Sequence, residues 1–152
     1  MPEQVDSLGN PDLTIGELRL WVHRREFPNS TDYYDINWLV ISACCEVNGA
    51  SVWLTNDPAV MTEELQCWLH ELERLIEGKR SCAVLDTMEP YLYIAVCQNR
   101  SYDAWDVEVS LTSNISNQEH WFRFRVPVEA LSKAIQQLRH ILERYPIVGK
   151  RP

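Results

Sequence analysis

Two hydrophobic periods alternate along the chain. Between Leu13 and His23, the residues Leu18, Leu20 and Val22 fall on one side and Glu17, Arg19, Trp21 and His23 on the other, the two-residue period of a half-buried strand. From Ile36 to Val47 both sides are apolar. Ile36, Trp38 and Val40 point one way and Leu39, Ile41, Ala43, Cys45 and Val47 the other, as in a central strand packed above and below. Asn48-Gly49 is a tight-hairpin signal, and Ala50 to Leu54 returns as a third strand before Thr55-Asn56-Asp57-Pro58 breaks the pattern. The period then changes: Leu65, Trp68, Leu69, Leu72, Leu75 and Ile76 recur at helical spacing. Thr62 reads as the cap of this helix, Glu63 and Glu64 suit its positive end, and Gly78 stops it.

Strands follow at Ser81–Leu85, Tyr91–Cys97, Trp105–Leu111 and His120–Val126. In the last two, Trp105, Val107, Val109 and Leu111 match Phe122, Phe124 and Val126 as apolar sets, while Asp106 and Glu108 match Arg123 and Arg125. Pairing Asp106 with Arg125, Glu108 with Arg123 and Val109 with Phe122 satisfies charge and packing together; a slip of two residues also keeps the charges matched. Pro127 opens a final helix with the stripe Leu131, Ile135, Leu138, Ile141 and Leu142, and Pro146 ends it.

The predicted fold is α+β: a mostly antiparallel sheet of about seven strands with two helices, in the order βββαββββα. Two helices are too few to cover both faces of such a sheet. They are expected on one face, with the other open or closed by curvature. Residues 1–152 read as a single domain with no internal repeat, and 1–12 and 147–152 as mobile ends.

Composition narrows the function classes. The formal charge of −8 lacks the positive footprint that phosphate binding needs, so nucleic acid is not expected as the partner. An acidic surface suits a basic protein partner, though it also simply favours solubility. No apolar run approaches the length of a membrane span, and the polar lead-in shows no signal peptide, so a cytoplasmic location is expected. Five cysteines without a C-x-x-C, all within apolar runs, read as reduced and buried.

No catalytic, metal or cofactor residues are assigned. The histidines form no ligand motif beyond His70-x-x-Glu73 and His140-x-x-Glu143, whose spacing is common on solvated helix faces. The glycines form no phosphate loop. Cys44-Cys45, with His23 or His120 as base, and the carboxylate pairs Asp32/Asp35 and Asp103/Asp106 are the residues a small hydrolase would use. A binding surface is the stronger reading. Aromatics mixed with charges on outward strand positions and in the loops are typical interface anchors. The partner-binding candidates are Asp32, Tyr33, Asp35, Tyr102, Asp103, Trp105, Asp106 and Trp121. An open aromatic sheet face also suits a homodimer.

Ile15-Gly16-Glu17-Leu18 followed by Tyr34-Asp35-Ile36-Asn37-Trp38-Leu39 resembles the opening signature of the WapI family of bacterial immunity proteins. Ser51-Val52-Trp53-Leu54, the Leu-rich helix from Glu64 to Glu77, Glu89-Pro90 and the closing helix are similar in order. The resemblance implies a non-catalytic cytoplasmic protein that neutralises a toxin domain by binding it, the toxins being of the WapA type. It supplies no catalytic residues. An interaction module without a toxin partner is the alternative, and a small hydrolase the next. Within the signature, Trp38 and Leu39 read as core. Asp35 and Asn37 either meet a partner or tie the preceding loop to nearby backbone.

Overall fold

The structure, a computed structural model, describes residues 7–152. The expected mobility of residues 1–6 lies outside the described residues. The elements are β1 (Leu13–Ile15), β2 (Leu18–Arg25), α1 (Tyr33–Asn37), β3 (Trp38–Val47), β4 (Ala50–Met61), α2 (Thr62–Ile76), β5 (Cys82–Asp86), β6 (Leu92–Asn99), β7 (Ala104–Leu111), β8 (Trp121–Pro127) and α3 (Val128–Arg144).

The α+β class and the antiparallel pairing stand, but the single sheet of about seven strands does not. Two four-stranded sheets form, in the orders β1-β2-β3-β4 and β5-β6-β7-β8. Helix α2 separates β4 from β5, so the second meander starts afresh instead of extending the first. The expected strand from Leu13 to His23 is broken by a turn at Gly16-Glu17 into β2 and the separate three-residue strand β1. Once it is counted, both halves read as four strands followed by a long helix. This repeat of architecture has no counterpart in residue identity. Two amphipathic meanders each need a cover, and each ends in a helix that supplies one.

The inward faces of both sheets and the buried stripes of α2 and α3 merge into one core. Strands β3 and β4 meet β7 and β8, α2 lies on β5, and α3 packs on α2 and β1. Strand β3 is buried on both sides as expected: Leu39, Ile41, Ala43 and Cys45 enter the core, while Val40, Ser42 and Cys44 are buried on the far side. Trp21 also lies on that far side yet is covered, stacked on Trp53 at 5.8 Å and donating its indole N–H to Gly9 O at 3.1 Å.

Local signals fared unevenly. Asn48 and Gly49 both take positive φ, 51° and 86°, as a two-residue hairpin of the expected kind requires. Helix α2 ends in a Schellman arrangement, with Gly78 N donating to Leu75 O and Lys79 N to Arg74 O. Thr55-Asn56-Asp57-Pro58 does not end the strand. It forms irregularities in the β3–β4 ladder, with Asn56 at φ 49°, and β4 resumes to Met61. The expected strand start at Ile36 is instead the helical turn α1. Asp32 caps it, accepting from Tyr34 N at 2.9 Å and Asp35 N at 3.0 Å.

Thr62 is not the cap of α2 but its first residue. Glu64 does the work, one carboxylate oxygen accepting from Met61 N and the other from Met88 N, each at 2.7 Å. Burial raises the Glu64 carboxyl above its ordinary value, outweighing the two N–H groups that act the other way. The folded chain therefore holds this proton more tightly than the unfolded chain. Its contribution to stability falls as pH rises from the unfolded value of 4.5 through the folded one. Glu64→Gln is expected to remove that fall. Urea midpoints taken between pH 4 and 7 should show a flatter curve for the variant, and parallel curves would refute the assignment.

The C-terminal segment makes hydrogen bonds and an ion pair to the body of the fold. Asn37, fully buried, donates Nδ2–H to Tyr33 O at 2.7 Å and to Val148 O at 3.0 Å, and its Oδ1 accepts from Val148 N at 2.9 Å. Arg25 donates to Ile36 O and Pro146 O, and Arg151 pairs with Glu63 at 3.3 Å. At the other end of the chain, Asp12 Oδ2 accepts from Val22 N at 2.7 Å. The β1–β2 turn lies against β8, where Gly16 (φ +53°) leaves no room for a side chain: a Cβ there would sit 2.7 Å from Val126 Cγ1.

Candidate functional site

Alternation along β5–β8 sends Val84, Tyr93, Ala95, Asp106, Glu108, Trp121, Arg123 and Arg125 to the side of the second sheet that faces away from the core. The predicted register holds: Asp106 lies opposite Arg125, Glu108 opposite Arg123 and Val109 opposite Phe122. Arg125 Nε donates to Asp106 Oδ1 at 3.0 Å and Arg123 Nε to Glu108 Oε2 at 3.1 Å. Both pairs are solvent-exposed, so each contributes at most about 1 kcal/mol to stability. Their effect is positional, holding four charges in fixed rows. Asn99 Nδ2 donates to the second oxygen of Asp106 at 2.9 Å.

Aromatic rings stand at both ends of these rows. Trp121, 47% exposed, meets Tyr93 edge-on at 5.5 Å, and its indole N–H is held by Glu119 at 2.7 Å. At the other end Tyr102, 66% exposed, lies under the Arg125 guanidinium at 3.8 Å. Between them is a shallow concavity of about 640 Å³, floored by Val84, Tyr93 and Ala95 and edged by the two ion pairs. It also exposes a disulfide between Cys82 and Cys97. The expectation of five reduced, buried cysteines is thus corrected. Antiparallel pairing places Cys82 directly across from Cys97, a proximity that spacing along the chain does not reveal. Cys67 is exposed on α2, and only Cys44 and Cys45 are buried thiols.

The predicted candidates divide. Tyr102, Asp106 and Trp121 come together on this face. Asp103 occupies a φ of 49° in the β6–β7 turn, a conformation Asp tolerates better than most residues. Trp105 is 6% exposed and donates its indole N–H to Val128 O at 3.2 Å. Its parity is opposite to that of Asp106, so it belongs to the core and not to the surface. Asp32 is spent on capping α1. Tyr33 donates to the Glu63 carboxylate, and that bond is the main cause pushing its phenol up to about 12.

Asp35 lies elsewhere, in a cleft of about 410 Å³ with Glu26, Asp57 and Glu89 and the rings of Phe27, Trp38 and Tyr91. Burial, then the charge of Glu89, raises the Asp57 carboxyl. This cleft draws on both halves of the chain, and no sequence pattern announces it. Tyr93 was legible from strand parity.

Nucleophile–base chemistry finds no accessible pair among the described residues. His23 Nε2 and Ser42 Oγ lie 2.8 Å apart, but Ser42 is fully buried and its oxygen also accepts from Asn56 N. Burial pushes the Cys45 thiol up to about 12, leaving it protonated. His140 meets Glu143 at 3.8 Å on exposed helix surface.

A family model described as the immunity protein WapI-like family matches residues 11–146. No curated protein sequence matches the chain. Among solved structures, the MRP1/MRP2 crystal structures from Trypanosoma bruciei align at 12% identity with a TM-score of 0.46, covering 94% of this chain and 91% of that one. A guide-RNA-binding protein complex bound to a gRNA aligns at 13% identity with a TM-score of 0.42, covering 83% and 89%. Superpositions this loose carry no information about what the present chain binds.

Proposed function

The chain belongs to the WapI-like family of immunity proteins, and from that premise we propose that it acts in the cytoplasm, without catalysis, by binding a toxin domain directly. The outer face of the second sheet is the docking surface. One observation carries this choice: Trp121, Tyr93, Tyr102, Arg123 and Arg125, the residue types that dominate binding energetics, stand together on a face that, among the described residues, no other element covers. The charges on this face are already paired and held, so docking orders few side chains and loses little entropy.

Four strands about 4.8 Å apart and on average about seven residues long at about 3.4 Å each give a patch of roughly 460 Å² in projection. A standard interface buries about 800 Å² per partner. The β6–β7 and β7–β8 loops, with exposed Tyr102 and Ile115, extend the patch toward that size. The net charge of −8 suits a basic toxin domain.

A homodimer would use the same face. A two-fold axis along the strands between β7 and β8 sets the acidic row Asp106/Glu108 of one copy against the basic row Arg123/Arg125 of the other. Toxin and second copy would then compete, and sedimentation with and without toxin separates them.

The test partner is a toxin domain found by inspecting the genes that flank this chain's own. Trp121→Ala combined with Arg125→Ala is expected to weaken binding at least 30-fold, about 2 kcal/mol, with the melting curve little changed. Full affinity and full protection of cells by a folded double variant would move the docking surface elsewhere.

A further inference from the structure

We propose that the Cys82–Cys97 pair is a thiol–disulfide exchange site set into the open face, through which a small thiol controls how firmly the edge strand β5 is held. The two sulfurs do not lie between sheet and helices, where a purely structural bridge would be shielded. Both cysteines are half-buried and line the concavity of about 640 Å³ beside Asp106, Glu108, Arg123 and Arg125. A small thiol can therefore reach the bond without the core opening. The remaining cysteines make the contrast plain: Cys44 and Cys45 are sealed within β3, and Cys67 stands alone on the exposed side of α2.

The bond has a mechanical consequence. Strand β5 is five residues long and, among the described residues, is paired on one side only, with β6. Gln98 N donates to Ser81 O at 2.9 Å, which makes the next pair along, Cys82 and Cys97, one of the close, non-hydrogen-bonded positions of the ladder. At that position the backbone contributes no bond between the two residues, and the disulfide is the link. It closes a loop with a sequence separation of 15 that contains the whole β5–β6 turn. Oxidised, it fixes Val84 and the wall of the concavity; reduced, β5 relies on its remaining ladder bonds and on α2.

The exchange balances with two thiols. A thiolate attacks one cysteine sulfur, the S–S bond breaks, and the other cysteine leaves as a thiolate. A second thiol attacks the mixed disulfide and departs as the oxidised thiol dimer. Both cysteines then take protons from water. Two electrons pass from the two thiols to the protein, and reoxidation requires a disulfide-bearing oxidant such as oxidised glutathione. In a compartment rich in reduced thiols, such an exposed pair is the kind that cycles rather than persists.

The experiment is native-state labelling with iodoacetamide before and after incubation with reduced glutathione or dithiothreitol, read by mass. One label, on Cys67, is expected before reduction and three, on Cys67, Cys82 and Cys97, after it, with Cys44 and Cys45 protected throughout. The far-ultraviolet circular dichroism should stay the same, and the melting temperature should fall by about 5–10 °C. The Cys82→Ser/Cys97→Ser double variant should melt with the reduced protein and ignore dithiothreitol. A pair that reacts only once the chain melts, or a reduced protein that melts with the oxidised one, overturns the proposal. The chemistry does not rest on the toxin reading, and neither readout needs a toxin, so its failure is separable from failure of the docking surface.

Discussion

Asn37→Ala is expected to destabilise the fold by about 3 kcal/mol and to free the chain end. The side chain is fully buried and makes three short hydrogen bonds, one to α1 and two to Val148. Alanine would leave the N–H of Val148 and the carbonyls of Tyr33 and Val148 without these partners. Each such group costs about 1–3 kcal/mol while it stays away from water, and the chain relieves that cost by detaching the tail. For a chain of this size the melting temperature should fall by about 6–12 °C. Hydrogen exchange at Val148 should rise to that of an unprotected amide. Asp35→Ala, two residues away at an exposed carboxylate, serves as control and should change stability by less than about 0.5 kcal/mol. An Asn37→Ala protein with unchanged melting and a protected Val148 amide would refute the clasp. It follows that Asn37, within the most recognisable stretch of the chain, joins α1 to the C-terminal segment and has no side-chain group left for a partner.

Gly16→Ala should cost about 1–3 kcal/mol net, from two sources that add and one that partly offsets them. The φ of +53° disfavours any Cβ by about 1 kcal/mol or more. The new atom would also lie 2.7 Å from Val126 Cγ1 and 3.1 Å from Phe124 Cε2, and such overpacking costs about 1–3 kcal/mol. The lower entropy of the unfolded alanine chain offsets only some 0.4–1 kcal/mol. The contact joins the two halves, since Gly16 lies in the β1–β2 turn and Val126 in β8. A double-mutant cycle with Val126→Ala isolates it. The combined variant should lose less stability than the sum of the two single variants, because removing the valine methyls makes room for the new one. Strict additivity would show that the close approach does not carry the cost.

Both predictions fall on residues of the family signature, and both concern folding. The signature marks the places where distant segments close on one another. The face proposed to meet a toxin is built from ordinary alternating strands.

That distinction tracks what the sequence by itself determined. The two-residue period of β7 and β8, with acids on one strand and arginines on the other, specified their register and the side on which Asp106, Glu108, Arg123 and Arg125 emerge. The helical period located the stripes of α2 and α3, and Asn48-Gly49 located its hairpin. These are local signals, because backbone geometry makes each residue a neighbour of those two, three or four positions away.

Tertiary structure alone decided what depends on distant partners. It split the strands into two sheets, since the pattern of a strand says which side is apolar but not which sheet it joins. It bonded Cys82 to Cys97, buried Trp105 beneath α3, and gathered Glu26, Asp35, Asp57 and Glu89 from four segments into one cleft. Asn37 is the clearest case. Nothing adjacent to it in sequence requires a buried amide, and its role exists only because Val148, 111 residues away, returns to meet it.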